Sequence, residues 1–325
     1  MNMAPTLAAE AAALPPEGAL APGGGPAALE LLSKNVGIVG IGNMGGAMAA
    51  HLLAQGWRVQ VCDIDAAKVI DFERFGALAR TSPAQAAIDS IALIVCVVDA
   101  AQTEEVLFGA GGAAAAMQPG QAVLLCPTIA PLEVEGFAQR LAQRGIATID
   151  APMSGGPARA RDGSMSLMVA CQDDVFDRYR HLIETLSAKV FRISGRPGDG
   201  ARTKLVNNLL AGINLVGAAE VLALAQRMGL DLHKTLEVIE QSSGQSWIGS
   251  DRMRRAIAGD YTPRAQVTLL QKDTRLAVQA AQAAGMEVPL GTVARDVLGR
   301  TVDAGLGLLD DAAVFKHLSR QIPPS

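Results

Sequence analysis

The chain has 325 residues, half of them hydrophobic but only 3% aromatic, with 34 glycines and a formal net charge of −4. That length accommodates two domains with cores of their own, and the alanine-rich, aromatic-poor composition favours helices packed closely through small side chains. The acidic balance offers no general attraction to phosphate backbones and excludes nucleic acid as a partner.

Residues 1–34 are rich in Ala, Pro and Gly and contain no basic segment followed by an apolar run. They are expected to form a disordered tail rather than a secretory signal, and their lack of arginine argues against a mitochondrial presequence. From Asn35 to about Leu186, strand-like and helix-like runs alternate. Val36–Val39 reads as a strand, followed by a helix to Ala54 that Gly56 ends in a left-handed turn. Val59–Cys62 is the next strand, and Ser82-Pro83 reads as an N-cap with proline at the first helical position. The continuous apolar run from Ile91 to Val98 predicts a strand buried on both faces. Val123–Cys126 and Ile146–Ile149 repeat the pattern around a helix near Pro131–Arg144. Such alternation predicts a parallel sheet with helices on both faces.

Beyond Gly200 no strand-like run remains. Helices are predicted from Ala201 to Met228, stopped by Gly229, and from Asp231, followed by Asp251–Ala258, Val267–Ala284, Pro289–Ala304 and Asp311–Ser319. The expected fold is therefore α/β: a Rossmann-type doubly wound sheet followed by an all-α C-terminal domain joined through a long helix. Its parts are a tail (1–34), a dinucleotide-binding domain (35–200) and a helical domain for substrate and oligomer contacts (201–325). The stretch Leu205–Ala225 has the length of a membrane span. It carries Asn207, Asn208, Asn214 and Glu220, which are costly in hydrocarbon, so it is expected to lie buried within protein with no membrane partner. The four cysteines (Cys62, Cys96, Cys126, Cys171) lack metal-ligand spacing. They read as reduced core thiols of a cytoplasmic protein, with no metal implied.

Three motifs carry chemistry. Gly40-Ile41-Gly42-Asn43-Met44-Gly45 follows the first strand and opens a helix. There Gly40 permits the tight turn, Gly42 lets a pyrophosphate approach the backbone, and Gly45 lets helix and strand pack closely. The helix N-terminus adds free N–H groups and partial positive charge. Asp63, at the end of the second strand, suits a ribose and repels a 2′-phosphate, which favours NAD over NADP. In the second motif, Asp150-Ala151-Pro152-Met153-Ser154-Gly155-Gly156, a strand ends in a loop whose N–H groups and Ser154 hydroxyl can hold a carboxylate; alone, it is equally a plain turn. In the third, Lys204 lies on a very apolar helix with Asn208 one turn on, on the same face. Burial of an ammonium lowers its pKa toward the range of an acid–base catalyst, and Asn208 can orient a substrate hydroxyl.

In this order, GxGxxG, Asp-Ala-Pro-x-Ser-Gly-Gly and Lys-x-x-Asn-Asn, the chain resembles the β-hydroxyacid dehydrogenases, relatives of 3-hydroxyisobutyrate dehydrogenase, tartronate semialdehyde reductase and 6-phosphogluconate dehydrogenase. The resemblance covers about Asn35 to His317. It implies that Lys204 is the catalytic lysine, that Ser154, Gly155 and Gly156 form the substrate-carboxylate loop, and that Asn208 is a substrate-binding amide. It also implies that Val97-Val98, in place of the family's Leu-Pro, lies beside the cofactor together with Thr128, and that Lys272 reaches back to the cofactor. Read without the resemblance, Lys272 is an ordinary surface lysine.

The Ser154–Ala160 segment and Ser242–Trp247 look most like the branch acting on four-carbon sugar acids such as L-threonate. Ser243, Gln245 and Ser246 suit a polyhydroxylated substrate, and Arg159 is either a second anion contact or a solvated loop residue. The implied activity is NAD-dependent oxidation of a small hydroxy acid by a homodimer or homotetramer. The alternatives are 3-hydroxyisobutyrate dehydrogenase and tartronate semialdehyde reductase activities, an imine reductase, and a non-catalytic dinucleotide sensor.

Overall fold

In the computed structural model, residues 34–320 are described, so all but Lys34 of the expected N-terminal tail lies outside them. Five short apolar strands, β1 (Asn35–Val39), β2 (Arg58–Cys62), β4 (Ala92–Val95), β5 (Ala122–Leu125) and β6 (Ala147–Asp150), form the parallel centre of one sheet; β3 (Leu78–Ala79) extends it beyond β2. Their residues are buried almost without interruption, because helices cover both faces. One face packs against α1 (Asn43–Ala54) and α7 (Asp173–Leu186). The other packs against α3 (Pro83–Ala87), α4 (Ala100–Phe108) and α5 (Pro131–Ala142). The strand order 3-2-1-4-5-6 places the reversal of winding between β1 and β4, where ligands of such sheets bind beyond the strands' carboxyl ends.

The parallel-sheet expectation needs two corrections. β8 (Ser166–Ala170) runs antiparallel to β6 and to the two-residue β7 (Met153–Ser154), and β9 (Lys189–Ser194) pairs parallel with β8. The run from Ile91 to Val98 is also not one strand: the chain leaves the sheet after Val95, and Val98 is half exposed. Asp99 caps α4 at that point, its carboxylate accepting from the Gln102 amide, while Gln102 accepts the Val98 N–H. Capping groups therefore set the strand's end, not hydrophobicity.

A short helix, α6 (Gly156–Arg161), precedes β8, and the helical half begins with α8 (Asp199–Arg227). Around it pack α9 (Leu232–Glu240), α10 (Trp247–Ile257), α11 (Val267–Ala283), α12 (Pro289–Thr301) and α13 (Ala313–Arg320). α10 starts four residues earlier than expected because Ser246 caps it, accepting from the Gly249 N–H at 3.1 Å. α12 ends at Thr301 in a wide turn containing Gly305 at φ 77°. α13 starts after Asp310 and Asp311, whose carboxylates are engaged by Arg255 and Arg252.

By length and composition α8 is the one described helix able to cross a membrane, and under half of its most apolar window is buried. The helix expected to lie buried within protein is thus two-faced. Ala201, Lys204, Leu205, Gly212, Leu215, Ala219 and Leu222 turn inward, while Val206, Leu210, Val221 and Leu224 are exposed.

Candidate active site

The glycine turn joins β1 to α1. Gly40 adopts φ 88° and donates its N–H to the Cys62 carbonyl at 2.9 Å, which ties the turn to the end of β2. A side chain on Gly45 would stand 1.9 Å from the Gly40 carbonyl, whereas one on Gly42 would meet nothing within 4 Å. Gly42 therefore presents bare backbone to open space, as a cradle for a pyrophosphate requires. Asp63 lies beside it, accepting the Ile41 N–H at 2.7 Å and the Asp65 N–H at 2.9 Å. The Ile41 side chain is buried in the core and Met44 packs against it while staying partly exposed, so Ile41 offers a ligand only its backbone. Asn43 donates to the Arg264 carbonyl at 3.3 Å and links the turn to the helical half. Across the crevice, the Val97 side chain reaches to within 3.0 Å of where a Gly40 side chain would begin. These residues fit a dinucleotide: an open glycine turn at a helix N-terminus, with a carboxylate at the neighbouring strand end.

Asp150 places the second half of the site. Buried at the end of β6, it accepts from the Gly198 N–H at 2.7 Å and the Ala201 N–H at 3.0 Å, capping α8 from another strand. Any side chain on Gly200 would touch this carboxyl at 2.9 Å. Seating the N-terminus of α8 there brings Lys204, one turn on, to the loop that follows β6. Its Nζ donates to the Met153 carbonyl at 2.6 Å, next to Ser154.

Lys204 is buried, and burial lowers its pKa from the ordinary lysine value. Asp273 on α11 opposes that shift and Lys272 reinforces it. The surroundings are thus more polar than the apolar neighbours in sequence imply: Val206 faces away, and the inner face meets Asp273. Asn208 donates to Asp273 Oδ2 at 2.6 Å and accepts from Asn207 at 2.9 Å. Lys272 pairs with Asp273 at 3.0 Å and donates across to the Thr128 carbonyl after β5. The close approach of α8 and α11 depends on Gly212, where a methyl would stand 2.5 Å from Thr274.

Lys204, Asn208, Lys272, Thr128 and the Ser154 loop are therefore brought together, with the glycine turn, Asp63 and Val97 at the crevice between β1 and β4. Val98 stands apart in the sense that its N–H is taken by Gln102. Ser246, expected among the polar substrate contacts, uses its acceptor as a helix cap. Arg159 lies along Gly155, and its guanidinium carbon sits 5.0 Å from the centre of the half-exposed Trp247 ring, so the two halves of the chain meet there.

Two groups were not singled out from the sequence. Asp150 belongs to the recognised loop motif, but its task is to hold a helix 48 residues away, which no local pattern reveals. Asp273 carried a readable signal. It interrupts the buried stripe Val267, Leu270, Thr274, Ala277, Val278 of α11, and a charge on such a stripe needs a partner.

Comparison with known proteins gives a consistent result. Residues 35–195 match the family model described as the NAD-binding domain of 6-phosphogluconate dehydrogenase. Residues 198–318 match that described as NAD-binding of NADP-dependent 3-hydroxyisobutyrate dehydrogenase. An L-threonate dehydrogenase of Cupriavidus necator is 37% identical over 88% of this chain and 96% of its own length. A 3-hydroxyisobutyrate dehydrogenase of Pseudomonas aeruginosa is 35% identical over 87% and 97%. The crystal structure of a 3-hydroxyisobutyrate dehydrogenase from Salmonella typhimurium superposes with a TM-score of 0.82 at 35% identity, covering 87% of this chain and 99% of that one.

Proposed function

The chain belongs to the β-hydroxyacid dehydrogenase family and is an NAD-dependent oxidoreductase of hydroxy acids; on that premise we propose that it oxidises a four-carbon sugar acid, L-threonate or a close analogue, with Lys204 as the general base. The observation that carries this reading is the buried Lys204 amine held at the Met153 carbonyl, beside the Ser154-Gly155-Gly156 loop. The loop N–H groups and the Ser154 hydroxyl hold the substrate carboxylate. Asn208, fixed by Asp273, orients the hydroxyl. Neutral Lys204 accepts the hydroxyl proton as the carbinol C–H bond breaks, and the carbon becomes a ketone or aldehyde. NAD, when bound, would supply the hydride acceptor. The bare backbone of Gly42 in the Gly40–Gly45 turn would hold its pyrophosphate and Asp63 its ribose, with Val97, Thr128 and Lys272 on the nicotinamide side.

Arg159, which forms no ion pair among the described residues, lies along Gly155 of the loop with its guanidinium carbon 5.0 Å from the centre of the half-exposed Trp247 ring. The two side chains favour an acid with several hydroxyls over the methyl-bearing 3-hydroxyisobutyrate, the second reading. The free thiols support a cytoplasmic setting.

The test is a panel of C3–C4 hydroxy acids, followed by NADH absorbance with NAD and separately with NADP. We expect the highest kcat/KM for a C4 sugar acid and at least a tenfold preference for NAD. Equal or better turnover of 3-hydroxyisobutyrate overturns the substrate assignment, and equal efficiency with NADP overturns the role given to Asp63.

A further inference from the structure

We propose that His51 is a positioning residue for the substrate-carboxylate loop: as an imidazolium, it bolts the helix behind that loop to the helix that starts at the glycine turn. His51 stands in the last turn of α1. Its Nδ1 lies 3.0 Å from the Arg161 carbonyl and its Nε2 lies 2.9 Å from the Thr185 carbonyl. Arg161 is the last residue of α6, whose first residue is Gly156 of the carboxylate loop; Thr185 is in the last turn of α7. Both partners are carbonyl oxygens, which only accept. A neutral imidazole has one N–H and one lone pair, so it satisfies one carbonyl and turns a lone pair toward the other. The two contacts coexist only when both ring nitrogens carry protons.

The surroundings agree with a cation. The ring borders a cleft of about 380 Å³ shared with Gln55, Asp162, Gly163, His181 and Glu184. Asp162 faces it from the α6 side, and Glu184 and His181 face it from α7; its own helix contributes the neutral Gln55. Hydrogen bonds from Ser164 hold Asp162 below the ordinary carboxylate range, so it presents a negative charge there. Gly163, at φ 73°, passes so close that a side chain there would stand 2.8 Å from the ring. His181 is itself stacked on Trp57, 5.3 Å between ring centres.

The consequence is directional. While the ring is doubly protonated, α6 is pinned to α1 and α7, and the loop N–H groups keep their aim. A ring with a single N–H keeps only one of the two contacts, and α6 loosens. Substrate capture then weakens while the Lys204 chemistry and NAD binding are little affected. This rests on the Ser154 loop being the carboxylate site.

The experiment uses the full chain. Histidine-selective ¹⁵N NMR reads the His51 ring. KM for the hydroxy acid, KM for NAD and kcat are measured from about pH 6 to 9 for the wild type, His51→Ala and His51→Gln, whose amide donates to carbonyls at any pH. We expect both ring nitrogens protonated where the enzyme works. We also expect a hydroxy-acid KM raised roughly three- to tenfold in His51→Ala, the loss of one or two ordinary hydrogen bonds, with kcat within about twofold. His51→Gln should recover much of the KM and lose the part of its pH dependence that separates the wild type from His51→Ala. A neutral ring, or a His51→Ala variant with wild-type KM at every pH, overturns the proposal. Should the wild type turn over no hydroxy acid, the functional reading fails. The clasp is then decided by the ring state and by amide exchange over residues 154–163, which must quicken in His51→Ala.

Discussion

Lys204 shows what a single residue's neighbours in sequence reveal and what they hide. A lysine followed by Leu205, Leu209 and Leu210 announces burial, and burial does lower its pKa. The counterweight, Asp273, arrives from α11, far along the chain, and no spacing along α8 foretells it. The direction fixes the pH behaviour. If Lys204 is the base, as proposed, oxidation needs the neutral amine, so kcat rises with pH through an apparent pKa below the ordinary 10.5; reduction of the keto product needs the ammonium and falls over the same range. Asp273→Asn removes the group that opposes the shift, so the oxidation profile moves to lower pH, while kcat drops about tenfold because Asn208 loses its anchor. A profile that stays in place, or moves to higher pH, contradicts this account of Asp273. Lys204→Arg leaves a permanent cation and abolishes oxidation.

At the scale of elements, the apolar strands and capped helices were readable because each is set by local pattern. β1, β2, β5 and β6 lie within a residue or so of the apolar runs, and Ser82 and Asp231 cap the expected helices. The short β7, β8 and β9 were not readable: a two-residue strand has no period, and β9 is half exposed. Nor did pattern reveal that Asp150 caps α8. Burial raises the Asp150 pKa to about 6 against the N–H groups that lower it. Because the folded value exceeds the unfolded one, its stabilising share is full below about pH 4 and is lost as pH rises through about 6. Asp150→Asn should therefore flatten the fall in stability between those values. Asp150→Ala should cost about 2 kcal/mol by leaving buried N–H groups unpaired, and should lower kcat by misplacing Lys204. Denaturant titrations at pH 4, 6 and 7.5 check both; identical slopes for wild type and Asp150→Asn would sink the linkage.

For the whole molecule, a strand-rich half followed by a helical half was legible from the disappearance of β-branched runs after Gly200. The way the halves meet was not, since the contacts Asn43–Arg264, Lys204–Met153, Lys272–Thr128 and Arg159–Trp247 join residues far apart in sequence. The outward face of α8 carries Val206, Leu210, Val221 and Leu224, all exposed, as are Met228 at its C-cap and Leu290 and Val293 of α12. We propose that a homodimer or homotetramer covers this apolar surface of the spine helix. Light scattering should give a multiple of 33.6 kDa, reduced toward the monomer by Leu210→Asp with Leu224→Asp; a monomeric wild type ends this idea. The claim on which everything else depends is that these halves assemble one catalytic centre around Lys204. The most direct measurement is single-turnover formation of NADH from a hydroxy acid by wild type and Lys204→Ala at saturating NAD, with NAD affinity measured alongside by fluorescence. We expect NAD affinity unchanged and the rate lower by about 10²–10⁴, the usual worth of a general base; a variant that reduces NAD as fast as the wild type contradicts it.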